Sequence, residues 1–280
     1  MITDDGLDLI CGVLANHLNS IDDPEYKAKI DRLEKEAMIE FMERHPLFRA
    51  AVNSASSSDF KNYNVVNGVG VLKLTGPIFP RANLMTRMSG ATALEEYTQY
   101  FSDALDDDDV QALIQVVDSP GGSVSGGFEM ASKVFGARAQ SKPVLTLVEG
   151  TCASLAYLIG SQSDMVYTTE ASMTGSIGVV MAIEDDTRAA ENEGIKRTVL
   201  KTGKNKAIGV GPVTDDQIAE LKSMMGDYFD RFKAAVVRAR TGVDIEKVSD
   251  GSLWIGQKAV NMGLVDGVST LDDLISEYRQ

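Results

Sequence analysis

Histidine is nearly absent from this 280-residue sequence: His17 and His45 are the only two, and both fall in its first 50 residues. A serine nucleophile in the later part of the chain therefore needs another base. Cysteine is as scarce. Cys11 and Cys152 stand far apart, suggest no disulfide framework and fit a reducing compartment. Without a histidine partner, Cys152 reads as a packing residue. Basic residues are short too: 27 Lys and Arg face 41 Asp and Glu, a net charge of −14. That excess repels nucleic acid and anionic membranes, so neither is an expected partner. Long apolar runs are lacking. Leu7 to Ala15 is short and interrupted by Asp8, which makes it neither a signal peptide nor a membrane span of about 20 residues. The cytoplasm is the expected location.

Two apparent cofactor signals also fall away. Gly68 and Gly70 have no third glycine and no following helix, so they make no dinucleotide fingerprint. The run Asp106 to Asp109 places adjacent side chains on an exposed turn, where they do not converge on one ion. No metal and no cofactor is expected.

What is present is ordinary for a globular protein: 44% hydrophobic and 24% charged residues. Residues 1–50 carry helical stripes, such as Tyr26, Ile30, Leu33, Ala37 and Phe41. This N-terminal helical segment is assigned to assembly or regulation. A Ser-rich linker follows at 51–62, and from residue 63 to 280 the texture is that of an α/β domain. Strands are expected at Val65–Leu74, Val110–Val117, Lys142–Val148, Met165–Thr168, within Met173–Met181, and at Ile195–Lys201. Helices are expected behind the capping boxes Thr92–Glu95 and Thr214–Gln217, after Gly127, after Ser154 to about Gln162, and over Asp186–Glu193. The remainder, Val243–Val248, Gly256–Met262 and Leu271–Tyr278, reads as short helices, with a turn at Val265–Val268.

One turn draws the rest together. A β-rich run enters Glu149-Gly-Thr-Cys-Ala-Ser154, and small residues then open a helix. Such a turn presents a side chain at the mouth of a site, with the next backbone N–H free to bind an anion. The glycine loop Asp118–Gly127, between a strand and a helix, also leaves N–H groups unpaired. It is not a phosphate loop, because no lysine follows the glycines.

With histidine excluded, a lysine is the usual substitute base for serine. A free lysine is neutral in only about one molecule in 2,500 at pH 7. Burial has to lower its pKa by about 3 units, or roughly 4 kcal/mol, which calls for a setting without nearby carboxylates. Lys201, Lys204 and Lys206 all have one, since no acidic residue occurs between Leu200 and Val213. Composition does not choose among them.

The ordered motifs VDSPGGSV (Val117–Val124), CASLAY (Cys152–Tyr157), TGSIGV (Thr174–Val179) and KTGKNK (Lys201–Lys206) resemble the signal peptide peptidase SppA (protease IV) family. These are serine–lysine peptidases with a ClpP/crotonase-like fold, and the likeness covers about Val65 to Val268. It implies Ser154 as nucleophile, Lys206 as general base, the Gly121 and Leu155 N–H groups as oxyanion donors, and Ser176 as the residue orienting the lysine. Leu155 departs from the family, which usually has Gly or Ala there. The absent membrane anchor and the Arg81–Thr92 stretch look more like the phage and prophage branch, the head maturation proteases. The expected substrate is then scaffold or capsid protein in the host cytoplasm or the prohead, and the expected assembly a homo-oligomer. Rival expectations are a cytoplasmic peptidase of signal or other short peptides, a crotonase-type acyl-CoA enzyme, and a non-catalytic capsid-assembly factor.

Overall fold

The Asn67-Gly68 pair turns the chain back on itself before the first long strand begins. Both residues take positive φ, 52° and 80°, as the two-residue hairpin turn requires. The run expected as one strand is therefore two: β1 (Asn64–Val66) and β2 (Val69–Thr75), paired antiparallel. The computed structural model describes residues 62–278, save 84, 85, 87, 88, 139–141 and 204. The expected N-terminal helical segment, with His17, His45 and Cys11, and nearly all of the expected linker lie outside the described residues.

From β2 onward the sheet is parallel. β2 pairs with β5 (Ala112–Ser119), β5 with β6 (Val144–Ala153), β6 with β7 (Met165–Thr168), and β7 with β10 (Gly267–Val268). Beyond the β7 pairing, the far end of β6 pairs with β8 (Met173–Gly175), which is backed antiparallel by β9 (Leu253–Ile255). A short parallel pair, β3 (Ile78–Phe79) and β4 (Thr92–Ala93), lies beside this sheet. β5 is buried along almost its whole length, as expected of a parallel strand covered on both faces. One face packs on α1 (Leu94–Asp106), α2 (Gly127–Ala137), α3 (Leu155–Gly160) and α5 (Asp215–Ala239), through residues such as Leu74, Phe101, Met130, Val134, Ile159 and Phe232. The other face, including Val71, Ile114 and Leu147, is closed by Leu274 and Ile275 of α8 (Leu271–Tyr278). This α/β architecture agrees with the expected class.

Several local expectations fail for identifiable reasons. The capping box at Thr92 does not form. Thr92 Oγ1 donates to the Thr75 carbonyl, and Glu95 accepts from Ala82 N–H instead. The box at Thr214 does form, with both reciprocal bonds. No strand is found at Ile195–Lys201, which follows α4 (Thr187–Asn192) without regular structure; Leu200 there is 92% exposed. The tail holds α6 (Ile245–Val248) and α7 (Gln257–Asn261) as expected, but also β9 and β10, too short to carry a periodic signal.

Most polar groups in the core are paired, with Thr174 Oγ1 and Arg240 Nε among the exceptions. Gln115 of β5 accepts from the Tyr97 hydroxyl (2.9 Å) and donates to Ser163 Oγ (2.9 Å). Arg240, 6% exposed, donates to the Asp266 carboxylate and the Ser163 carbonyl, while Asp266 also accepts Val166 N–H. Asp266→Ala should therefore cost about 3 kcal/mol in urea unfolding, because it leaves a buried guanidinium short of its counter-charge. Asp266→Asn should lose less.

Candidate active site

Strand β6 ends where Ser154 takes φ 50° and ψ −122°, a backbone region that costs a non-glycine residue of order 1–3 kcal/mol. This is the sharp strand-to-helix turn that lifts a side chain out of a sheet. Its supports are all main chain. Ser154 N–H donates to the Gly175 carbonyl (3.0 Å), and its own carbonyl accepts from Leu158 N–H (2.9 Å). Ala153 and Gly175 are partners in the β6–β8 register, so Ser176 leaves β8 as Ser154 leaves β6. Ser176 also has positive φ, 52°, and donates its N–H to the Ser252 carbonyl (2.7 Å). Gly175 is needed between them, because a Cβ there would meet Ser252 O at 2.7 Å and the Trp254 ring at 2.9 Å. The register thus brings two half-buried hydroxyls side by side on the wall of a cavity of about 770 Å³.

The backbone opposite Ser154 comes from the loop after β5. Expectation made Gly121 the first anion donor; the structure gives that N–H another partner. It donates to Ser119 Oγ (3.1 Å), whose own proton goes to the Gly76 carbonyl (2.6 Å). Gly122 is the residue left open. Ile78 N–H donates to Gly121 O and Ser123 N–H to Ile78 O, both at 2.9 Å, forming a parallel bridge. In such a bridge the central residue's own N–H points away from its partner strand. Gly122 lines the cavity beside Ser154, and its N–H meets no acceptor among the described residues. Leu155, as the first residue of α3, has no acceptor within the helix. The pair flanking Ser154 is therefore Gly122 and Leu155. Gly121 contributes space, since a Cβ there would stand 2.9 Å from both Leu155 N and Ser154 Cβ. The second glycine of the Pro-Gly-Gly run was the signal in the sequence for Gly122.

A smaller cavity of about 80 Å³ opens from the same hydroxyl, walled by Leu155, Leu158, Phe128, Tyr228 and Phe232. The larger one reaches Met225 and Phe229 of α5 and the Asp250-Gly251 turn, residues that sequence reasoning had not placed at the site. Asp250 is the one acidic or basic side chain on either wall among the described residues. Hydrogen bonds from Ser252 hold its carboxyl below the usual range. Cys152 is buried directly before the elbow, and burial pushes its thiol well above the ordinary value. Lys206 is placed elsewhere. It sits exposed on a turn, its N–H donating to Gly203 O (3.1 Å), and lines neither cavity. The structure therefore brings Ser154, Ser176, Gly121, Gly122 and Leu155 together but leaves Lys206 apart from them.

The model of peptidase family S49 matches residues 136–280, the stretch that contains Ser154, Ser176 and Lys206. The chain belongs to peptidase family S49. Among similar proteins, the capsid assembly protease C of Escherichia phage lambda is 30% identical over 78% of this chain and 50% of its own length. The head-tail preconnector protein GP5 of Enterobacteria phage P21 is 31% identical over 76% of this chain and 43% of its own length. Protease 4 of Salmonella typhi is 29% identical over 64% and 29%. The chain thus spans half or less of the length of these relatives. Two solved structures are also similar to this chain. A mutant of the 1510-N membrane-bound stomatin-specific protease has a TM-score of 0.48 and 13% identity, over 76% of this chain and 86% of that one. An enoyl-CoA hydratase/isomerase family member has a TM-score of 0.44 and 16% identity, over 77% and 72%. Among the described residues of this S49 chain, no helix is long and apolar enough to cross a membrane.

The burial of Cys152 predicts inertness. In a Cys11→Ala chain, Cys152 should not react with Ellman's reagent at mildly alkaline pH in the native protein and should react fully once unfolded in guanidinium chloride. Rapid native labelling would contradict the placement beneath the elbow.

Proposed function

We propose that this chain is a serine endopeptidase acting through a Ser154–Lys206 dyad on phage scaffold or capsid protein. The observation carrying the peptidase reading is Ser154: a hydroxyl on a strained elbow, at a cavity wall, between two backbone N–H groups without acceptors. In the proposed reaction Ser154 Oγ adds to the scissile carbonyl while Lys206 Nζ takes its proton. The Gly122 and Leu155 N–H groups hold the oxyanion, each contributing about 3 kcal/mol. Collapse expels the amine, which receives the proton from Lys206, and water then repeats the sequence to free Ser154. Ser176 orients the lysine by accepting from Nζ.

Lys206 as base rests on its motif, and its exposed turn sets a condition. The segment carrying it has to close over Ser154, within one chain or from a second copy. Leu200 on that segment and Val180 at the cavity wall are each 92% exposed, which favours burial against another copy and hence a homo-oligomer. The names of the phage relatives supply the substrate class, with the host cytoplasm or prohead as the setting.

Co-expression with the capsid protein of the same phage tests the reading by mass spectrometry. The wild-type chain should yield one defined shortened product and Ser154→Ala none. Intact capsid protein in both would favour the assembly-factor reading. Lys206→Ala should reduce cleavage by about 10³-fold or more, whereas Lys201→Ala and Lys204→Ala should keep most of it. Retained activity in Lys206→Ala would remove it as the base.

A further inference from the structure

Leu155 serves twice in this fold: its N–H faces the anion position, and its side chain forms a wall of the small cavity beside Ser154. The side chain is only 4% exposed because it runs out over α2. There it meets Gly127, where an added Cβ would stand 2.3 Å from Leu155 Cδ1. Glycine at 127 is thus the recess that draws the end of Leu155 away from the cavity. No positive φ requires a glycine at this position; the close approach does. The rest of the lining is largely apolar and includes Val179 and the exposed Val180 as well as aromatic rings. Phe128 and Tyr228 stack with centroids 6.4 Å apart and planes 13° from parallel, and Leu158 and Phe232 are buried. No charged side chain lines this cavity among the described residues.

The volume decides what can enter. An apolar cavity of about 150 Å³ holds a benzene ring; this one offers about 80 Å³. It has room for a methyl or isopropyl group and not for a phenyl ring. We propose that the Leu155–Gly127 contact gauges the residue whose carbonyl Ser154 attacks, restricting it to small aliphatic side chains. The inference rests on the peptidase reading for its chemistry and on the packing alone for its size limit.

Two substitutions move the gauge in opposite directions. Leu155→Ala deepens the cavity, and Gly127→Ala pushes the Leu155 side chain back into it. Gly127→Ala also favours the helix, so that variant is expected to fold even if Leu155→Ala is weakened by its lost core contacts. In the double variant the new methyl occupies space that Leu155 vacated.

The test uses peptidyl-aminocoumarin amides ending in Ala, Val, Leu or Phe, cleaved by the full chain. Since one methylene of fit shifts selectivity about tenfold or more, the wild type should prefer Ala and Val over Phe by about that factor. Leu155→Ala should raise the Phe/Ala ratio of kcat/KM about tenfold. Gly127→Ala should lower the Val/Ala ratio about tenfold, and the double variant should return towards wild type. Ratios unchanged within about twofold, or moving the same way in both single variants, would overturn the proposal. The same peptides are titrated by fluorescence anisotropy onto Ser154→Ala chains with and without the second substitution. Absent cleavage with the size order kept in binding would sink the peptidase reading and leave the gauge standing. Absent size order in binding would sink the gauge.

Discussion

Ser154 can hold a left-handed backbone only while β6 and β8 stay in register. The conformation costs of order 1–3 kcal/mol, and the bond from Ser154 N–H to Gly175 O, 3.0 Å, ties it to the neighbouring strand. Gly175 is in turn hemmed in by the Ser252 carbonyl and the Trp254 ring behind it. A slip of one residue between β6 and β8 would turn every side chain to the opposite face and separate the two serine hydroxyls. The sheet places the nucleophile; the helices behind it supply the burial that keeps the sheet in place. One such tie is the Tyr157 hydroxyl of α3, which donates to the buried Leu264 carbonyl at 2.8 Å.

The loop facing Ser154 depends on the same exclusion of side chains. β6 bulges opposite Val117 to Ser119, where its stretch from Val148 to Cys152 carries extra residues, and the Asp118 carboxylate accepts Thr151 N–H at 2.9 Å, fastening the bulge to β5. Bulges re-aim a strand where it leaves a sheet, and here β6 passes directly into the Ser154 turn while β5, alongside it, passes into the glycine pair. A Cβ at Gly122 would overlap the Ile78 carbonyl at 1.9 Å. Two glycines in a row are required because main chain packs against main chain on both sides of the loop. Ser119 then occupies the Gly121 N–H, leaving Gly122 to face the cavity.

Much of this was legible in sequence, and the limits have physical causes. The alternation of strands with helices identified the α/β sheet, and the turn at Ser154 was marked by small residues between a β-branched run and an apolar helix. The hairpin at Asn67-Gly68 was also marked, but the β-branched residues on both sides read as one strand. Thr92 had the composition of a cap, yet tertiary bonds to Thr75 captured its hydroxyl. The shift from Gly121 to Gly122 depends on the Ser119 hydroxyl, which the distant Gly76 carbonyl orients, and on the bridge to Ile78, dozens of positions away. Asp250 reaches the cavity only because β9 pairs with β8, and strands of three residues carry no periodicity to read. Leu155 stood out in sequence as a departure from the family's small residue; Gly127 is what accommodates its side chain in the fold.

The proposed peptidase chemistry depends on Ser154 being a reactive hydroxyl held opposite two anion-binding N–H groups. The most direct measurement is intact-mass and peptide-map analysis of the folded chain after reaction with a fluorophosphonate. The account predicts a single phosphonyl adduct located on Ser154, formed in the native protein and lost on unfolding. An unmodified chain, or an adduct on a different serine, would contradict it.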